Sequence, residues 1–399
     1  MEEHDDNRVT YFARSNFRDD RRVFGIRQRD RFAHMYIIGQ TGTGKSTLLE
    51  SMARQDIANG TGFALFDPHG DLVGRVRSLA QKHAPKRLID FDPAGGALPL
   101  SFNPFTGVVP GQRALAASFL LDAFKKLWPD FWGPRLEHIL RNALLALLDY
   151  HGATLSDIPR LFDSREFRRE VMERVNNPQV RRFWLQEFEN YPPRLRAEAI
   201  APMQNKVGAF LAHPILQRVL DQPSGSFSLR EVLDRGQILL INLAKGQLGE
   251  DGASLLGALL LSGIGLAALS RTNQSESERR DFIVYLDEFP TYATLSLASM
   301  LPELRKYRVG LILAHQHLAQ IDPLLRESIL GNVSTTIAMR LGSLDAAILE
   351  KTLASDFSAQ DLVSLPNHDM YLRLLVNGVV SKPFSSEILT PTEQLVDLA

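Results

Sequence analysis

Short apolar runs alternate with amphipathic segments in two separate parts of the chain. In the first part, the apolar runs cover residues 35–38, 63–66 and 87–91. In the second part, they cover residues 237–243, 281–286, 310–314 and 334–339. Strands that alternate with helices are typical of a mainly parallel sheet with helices packed on its faces. We therefore predict an α/β fold whose central sheet is built from both parts.

The chain between these parts has a different pattern. From residue 111 to residue 221 the apolar positions recur with helical spacing, and strand-like runs are nearly absent. The predicted helices there cover residues 114–128, 131–151, 164–175 and 194–211. We therefore predict an N-terminal arm at 1–33, a nucleotide-binding domain at 34–108 and 226–399, and an all-α inserted domain at 109–225.

Composition and charge exclude several classes of site. The 399 residues include no cysteine, which removes disulfides, cysteine-ligated zinc and iron–sulfur clusters. The formal net charge of −1 does not by itself indicate a nucleic-acid partner. It does not exclude one either, because a ring can keep positive charge inside its channel. Residues 1–6 lack the basic-then-apolar order of a signal peptide, so we expect a cytoplasmic protein.

One segment resembles a membrane span in composition. Residues 252–270 are uncharged and rich in Leu, Ala, Gly and Ile, at the lower limit of spanning length. They lie between two predicted strands of one sheet, and a membrane crossing there would divide that sheet. We therefore predict a buried helix and no intrinsic membrane span.

The strongest motif is the octapeptide GQTGTGKS at residues 39–46, which fits the phosphate-binding loop G-x-x-x-x-G-K-[ST]. A predicted strand precedes it and a predicted helix, residues 47–59, follows it. Glycines let backbone N–H groups surround phosphates, and the helix N-terminus adds partial positive charge. Lys45 is predicted to reach the β- and γ-phosphates of ATP, and Ser46 to ligate Mg²⁺. The predicted nucleotide-binding residues are Gly39, Gln40, Thr41, Gly42, Thr43, Gly44, Lys45, Ser46 and Thr47.

A second motif supplies two carboxylates. The apolar run at 281–286 ends at Asp287 and Glu288. In P-loop ATPases of the additional-strand class, the first acid of such a pair holds the Mg²⁺ shell and the second polarises the attacking water. We therefore predict Asp287 as a magnesium ligand and Glu288 as the general base.

Other catalytic candidates lie near the next predicted strand. Gln316 follows that strand and is the predicted sensor of the γ-phosphate or the lytic water, with His315 as a substitute. Arg305 is the predicted arginine finger, which would reach the nucleotide of a neighbouring subunit. Arg308 and Arg340 are the alternatives for that role.

Two further patterns argue against other classes. Residues 67–70 fit the D-x-x-G of GTPases, but the guanine-reading N-K-x-D motif is absent, since Asn205 and Lys206 precede Val207 and Gly208. The histidines at 315 and 317 do not have the spacing of a zinc site, so the sequence supports no metal other than Mg²⁺.

In order and spacing, these motifs resemble the FtsK/HerA superfamily and, within it, the TraD/TraG coupling proteins of type IV secretion and conjugation. The residues that carry the resemblance are 34–39, 66–71, 101–104, 286–289 and 305–316. The resemblance covers most of residues 10–385. It implies a RecA-like core interrupted by an all-α domain, in the place where coupling proteins carry theirs.

The same resemblance implies a homohexamer that draws DNA through a central pore, with a relaxase or a secretion channel as partner. Membrane-anchored members carry transmembrane helices ahead of the ATPase, and none is expected in this chain. Three explanations stay open: a soluble member of the family, a chain that a partner attaches to the inner membrane, or a shortened form of a longer protein. Two alternatives remain open: an ATPase that moves a protein substrate, and a nucleotide-gated assembly switch that recruits a nuclease or relaxase.

Overall fold

A computed structural model describes residues 5–17, 21–96, 99–353 and 357–389, apart from the side chains at positions 131, 195, 199 and 202. The strands are β1 (Val9–Ser15), β2 (Val23–Arg27), β3 (Met35–Ile38), β4 (Gly62–Asp67), β5 (Leu88–Phe91), β6 (Ile238–Asn242), β7 (Phe282–Leu286), β8 (Val309–His315), β9 (Thr335–Ala338), β10 (Asp369–Arg373), β11 (Leu375–Val376), β12 (Val379–Val380) and β13 (Phe384–Ile388).

The α-helices are α1 (Gln28–Arg31), α2 (Lys45–Ala58), α3 (Asp71–His83), α4 (Arg113–Leu127), α5 (Pro134–Asp149), α6 (Asp157–Asp163), α7 (Arg165–Arg174), α8 (Pro178–Arg182), α9 (Pro193–Leu211), α10 (Pro214–Leu220), α11 (Leu229–Asp234), α12 (Lys245–Leu269), α13 (Leu295–Leu304), α14 (Pro323–Asn332), α15 (Ser343–Thr352) and α16 (Ala359–Ser364). A π-helical segment covers Phe183–Phe188. Short 3₁₀ segments cover Pro85–Arg87, Pro110–Gln112, Pro129–Phe131, Ser270–Asn273, Glu276–Glu278, Phe289–Thr291, Arg305–Tyr307 and Leu318–Gln320.

Eleven of the described strands form one sheet in the order β2-β1-β13-β10-β9-β3-β8-β7-β4-β6-β5. The strand pairs from β9 across to β6 are parallel. In the centre, β3 lies between β8 and β9, with Met35 opposite both Ile312 and Thr335. The mainly parallel α/β sheet predicted from the sequence is therefore confirmed.

The parallel strands are almost wholly apolar because helices cover both of their faces. Every residue of β3, β4, β7 and β8 is buried. Strands buried on both faces read as continuous apolar runs, which is why the sequence located them to within about a residue or two. Their carboxyl ends share one edge of the sheet, and the loops that leave this edge carry the phosphate loop, Asp287, Glu288 and Gln316.

Four antiparallel strands extend the sheet beyond β9, and two of them, β1 and β2, lie in the segment predicted as an N-terminal arm. In β10, buried residues alternate with half-buried ones, so no continuous apolar run marks the strand. The hairpin of β11 and β12 turns at Asn377 and Gly378, both with positive φ. An Asn-Gly pair between apolar residues is a strong hairpin signal, and it marks this turn in the sequence.

A buried ion pair fixes the helix that follows the phosphate loop. The guanidinium of Arg31 donates to both carboxylate oxygens of Asp56 in α2, at 2.7 and 2.8 Å. The hydroxyl of Tyr285 in β7 donates to the same carboxylate at 2.5 Å. All three side chains are fully buried or nearly so. Because breaking a buried pair leaves an uncompensated charge, this cluster strongly favours one position of α2 relative to β7.

The described residues divide into two compact units. The first comprises residues 1–90, 232–242 and 271–399, and the second comprises 91–231 and 243–270. The predicted all-α insertion at 109–225 falls within the second unit, which also takes in flanking residues and α12. The domain boundaries drawn from the sequence stay a prediction.

Helix α12 is the segment that raised the question of a membrane span. Lys245–Asn273 is long and apolar enough to cross a bilayer by length and composition, and no second helix in the described parts of the chain passes that test. In its most apolar stretch, 78% of the residues are buried inside the structure. A core helix has this same combination of length, composition and burial.

Candidate active site

The phosphate loop connects β3 to α2 at the carboxyl edge of the sheet. Gly42 and Gly44 have φ values of +78° and +114°, which residues with a side chain rarely adopt. Gly39 has an ordinary φ, but a Cβ built there would lie 2.7 Å from the Cβ of Met339. Three of the motif's positions therefore require glycine, two for their conformation and one for close packing.

Lys45 is the first residue of α2, and its side chain folds back under the loop. Its Nζ donates hydrogen bonds to the carbonyl oxygens of Gly39 at 2.6 Å and Gln40 at 3.1 Å. Burial lowers the pKa of Lys45, and the charges of Glu288 and Asp287 oppose that shift. The ammonium is thus held inside the loop, beside the two acidic residues that follow β7.

Ser46 and Asp287 meet across the site. The hydroxyl of Ser46 donates to Oδ2 of Asp287 at 3.1 Å. Burial, together with the charges of Asp67 and Glu288, raises the pKa of Asp287 to about 6, while Ser46 and Lys45 act in the opposite direction. Acidic side chains thus crowd this point, and a bound cation would relieve their repulsion. The hydroxyl and carboxylate predicted to bind Mg²⁺ lie together as such a site requires.

Glu288 has a backbone conformation that is unusual for a residue with a side chain. Its φ and ψ are +46° and +48°, in the left-handed region, which costs about 1–2 kcal/mol for a residue other than glycine. The hydroxyl of Tyr292 donates to the carbonyl oxygen of Asp287, and the N–H of Glu288 donates to Oδ1 of Asp287 at 3.1 Å. These two hydrogen bonds hold the strained turn that follows β7.

Gln316, directly after β8, links the acidic turn to the phosphate loop. Its Nε2 donates to Oε1 of Glu288 at 2.8 Å, and its Oε1 accepts from the hydroxyl of Thr41 at 2.7 Å. The two motifs, more than two hundred residues apart in the sequence, are therefore joined through one amide side chain.

Asp67 contributes to the site in a way that the sequence motifs did not predict. Its carboxylate accepts the N–H groups of His69 at 2.8 Å and Val73 at 3.0 Å, which holds the turn that leads into α3. The D-x-x-G pattern thus has a local structural role. The same charge contributes to the raised pKa of Asp287.

His315 does not serve as an alternative to Gln316 in this arrangement. Its ring is buried, and its Nε2 is 2.6 Å from the hydroxyl of Tyr36 in β3. Burial is the main cause that lowers the pKa of His315 to about 3. The residue is a neutral core histidine beneath the phosphate loop.

The three arginines proposed as fingers have different positions. Arg305 is exposed and precedes β8, so it lies at the opposite edge of the sheet from the phosphate loop of its own chain. Arg308 is buried and pairs with Asp281 at 2.6 Å and Asp6 at 2.5 Å. Arg340 lies beside the loop of its own chain, where its backbone oxygen accepts the N–H of Gln40.

Comparison with known proteins identifies the family. The model of the type IV secretion-system coupling protein DNA-binding domain, TrwB_AAD_bind, matches residues 24–356, more than four fifths of the chain. The chain belongs to this coupling-protein family. This confirms the resemblance found in the motifs.

One curated relative from the family is the type 4 coupling protein DotL of Legionella pneumophila. The two chains are 23% identical over an alignment of 395 residues. The match covers 84% of this chain and 50% of DotL. The chain thus spans about half the length of the curated relative it matches.

Solved structures of the coupling protein TrwB and of VirB4 share the fold. The plasmid coupling protein TrwB, in complex with the ATP analogue ADPNP, superposes with a TM-score of 0.67 at 16% identity, covering 98% of this chain and 90% of TrwB. VirB4 of Thermoanaerobacter pseudethanolicus superposes with a TM-score of 0.61 at 15% identity, covering 97% of this chain and 99% of VirB4. The chain therefore has the RecA-like P-loop fold of these proteins.

Proposed function

We propose that this chain hydrolyses ATP and uses the energy to bind and translocate DNA as a homohexamer. The observation that carries the proposal is the link from Thr41 through Gln316 to Glu288, which joins the phosphate loop to the predicted general base. A phosphate loop that bound no nucleotide would not require this network. It would not require the strained backbone at Glu288 either, because such strain is concentrated at functional sites.

The residues present fit magnesium and ATP. The hydroxyl of Ser46 and the carboxylate of Asp287 are oxygen ligands of the kind that Mg²⁺ prefers. Among the described residues, no group of three His, Asp or Glu side chains that could hold a metal ion is found. When bound, Mg²⁺ would neutralise phosphate charge. TrwB has been solved with ADP and Mg²⁺, and we propose the same ligands here.

The chain's own residues would divide the remaining work of hydrolysis. Glu288 would accept a proton from the attacking water, and Gln316 would fix the position of that carboxylate. Lys45 would exchange its contacts with the loop carbonyls for contacts with phosphate oxygens. Arg305 lies too far from its own loop to take part, so we assign it to the nucleotide of a neighbouring subunit.

DNA is the proposed substrate because the family is described as a DNA-binding domain of coupling proteins. We propose that residues 109–225 form the domain that faces the DNA or a relaxase. The chain would act in the cytoplasm, and its partners in the secretion channel would hold it beside the inner membrane. A net charge of −1 then requires the DNA-binding residues to be concentrated locally, for example along a pore.

Displacement of streptavidin from end-biotinylated DNA tests translocation. We expect ATP-dependent displacement by the wild-type chain and none by Glu288→Gln, which retains nucleotide binding. A chain that binds DNA and turns over ATP but never displaces streptavidin would instead be a switch.

A protein substrate is the second candidate, and the near-neutral charge is the observation that favours it. Salt separates the two candidates. Phosphate contacts release counterions, so the logarithm of DNA affinity falls steeply with the logarithm of salt concentration. A flat salt dependence with weak DNA affinity would move the assignment to a protein substrate.

A further inference from the structure

His368 lies against the phosphate loop although it is more than three hundred residues away in sequence. Its N–H donates to the carbonyl oxygen of Thr43 at 3.0 Å, and its own carbonyl oxygen accepts the N–H of Ile388 at 2.9 Å. A Cβ built on Gly44 would lie 2.9 Å from Nδ1 of His368 and 2.7 Å from Cδ1 of Ile388. The imidazole therefore rests on the residue immediately before Lys45.

The sheet order determines which side of the loop this is. Strands β7 and β8, which lead to Glu288 and Gln316, lie on one side of β3, and β9 and β10 lie on the other. His368 directly precedes β10. If the γ-phosphate points towards Glu288, as the proposed function requires, the nucleoside must extend towards the side of His368.

His368 has a strained backbone conformation that its hydrogen bonds to Thr43 and Ile388 hold in place. Its φ of +72° lies in the left-handed region, which a histidine adopts at a cost. The side chain is exposed, and within the described part of the chain its ring makes no hydrogen bond. Strained residues whose surroundings hold them in place are concentrated at ligand-binding sites.

From these observations we infer that the imidazole of His368 packs against the ribose or base of the nucleotide and contributes to nucleotide affinity. The inference rests on the proposed function, because it concerns the same site. The flat face of the ring makes this contact, beside the apolar side chain of Ile388. The nucleoside then contributes to the binding energy of the nucleotide. His368 would therefore act on binding and not on the hydrolytic step.

Calorimetric titration with two probes tests this inference. The probes are MgADP and magnesium tripolyphosphate, which share phosphate contacts but differ in the nucleoside. The variants are His368→Gly, which removes the ring and tolerates the positive φ, and His368→Asn, which also tolerates it. Asn367→Ala, at the exposed neighbouring position, is the matched control. Lys45→Ala tests the phosphate site itself.

We expect both His368 variants to bind MgADP about three- to tenfold more weakly, as the loss of one ring contact predicts. Their affinity for tripolyphosphate should equal that of the wild type, and Asn367→Ala should bind both probes normally. Equal loss of both probes, or no loss of either, would overturn the inference. If the wild type bound neither probe, or if Lys45→Ala bound both as tightly as the wild type, the proposed nucleotide site itself would fail.

Discussion

The Nε2 amide of Gln316 donates a hydrogen bond of 2.8 Å to the Oε1 atom of Glu288. The same side chain accepts the hydroxyl proton of Thr41 from the phosphate loop. A carboxylate on a turn of strained backbone thus has its orientation fixed by a residue that also contacts the loop. Any movement of the loop on nucleotide binding would reach the general base through this amide.

Replacing Gln316 with alanine tests that link. We expect kcat for ATP hydrolysis to fall about 10- to 100-fold, because a general base that loses its orientation no longer holds water in line. Affinity for MgADP should stay within about twofold, since Lys45 and Ser46 remain in place. Steady-state kinetics and calorimetry measure the two quantities. Unchanged kcat would remove Gln316 from the mechanism, and Gln360→Ala at an exposed position serves as the matched control.

Arg305 and Arg308 should behave differently when each is changed to alanine. Arg305 is exposed at the edge opposite the phosphate loop, so Arg305→Ala should retain the fold and lose about 10³-fold in kcat, as loss of a trans finger does. Arg308→Ala should lose about 1–3 kcal/mol of the free energy of unfolding, because it removes ion pairs to Asp281 and Asp6.

Subunit mixing shows whether the finger acts in trans. Arg305→Ala subunits have an intact base, and Glu288→Gln subunits have an intact arginine, so mixed rings should recover part of the activity that each lacks alone. Wild-type turnover by Arg305→Ala, or no recovery on mixing, would reject the assignment. Arg308→Ala mixed with Glu288→Gln controls for stability effects.

Acid should destabilise the fold through His34. The ring is buried, its Nε2 donates to the carbonyl oxygen of Leu301 at 2.8 Å, and its Nδ1 accepts the N–H of Leu311 at 3.0 Å. Burial lowers the pKa of His34 from 6.5 to about 4. The neutral form is therefore the one that the fold stabilises. This contribution is complete above pH 6.5 and is lost as the pH falls towards 4, at about 1.4 kcal/mol per pH unit.

Urea unfolding at several pH values measures this effect. His34→Asn is the informative variant, because asparagine tolerates the positive φ of this position and offers an acceptor near the place of Nδ1. Its free energy of unfolding should be lower at pH 7 and should fall less steeply between pH 6.5 and 5. Identical slopes for both proteins would contradict the role of His34. His315, whose pKa is also lowered, contributes to the remaining slope of both.

The sequence predicted the parts of the site that depend on local pattern. Strand β3, the phosphate loop and the acidic turn after β7 lie where the apolar runs and motifs indicated, because buried parallel strands read continuously in the sequence. Gln316 follows β8 as expected and contacts Glu288. Their catalytic roles remain predictions.

What the sequence did not predict depends on contacts between distant segments. Strands β1, β10 and β13 are only partly buried and contain no continuous apolar run, so their pairing becomes evident only in three dimensions. The same holds for Asp56. Its charge is paired with Arg31, and its carboxylate also accepts a hydrogen bond from the hydroxyl of Tyr285. His368 lies beside Gly44 only because β10 joins the sheet next to β9. No local spacing encodes that proximity.

Steady-state ATP hydrolysis with and without single- and double-stranded DNA tests the central claim most directly, with Glu288→Gln as the control. We expect turnover that DNA stimulates several-fold, and a loss of at least about 100-fold in Glu288→Gln, the usual contribution of a general base. Turnover indifferent to both forms of DNA would contradict the assignment of DNA as the substrate. Full turnover in Glu288→Gln would contradict the assignment of the active site itself.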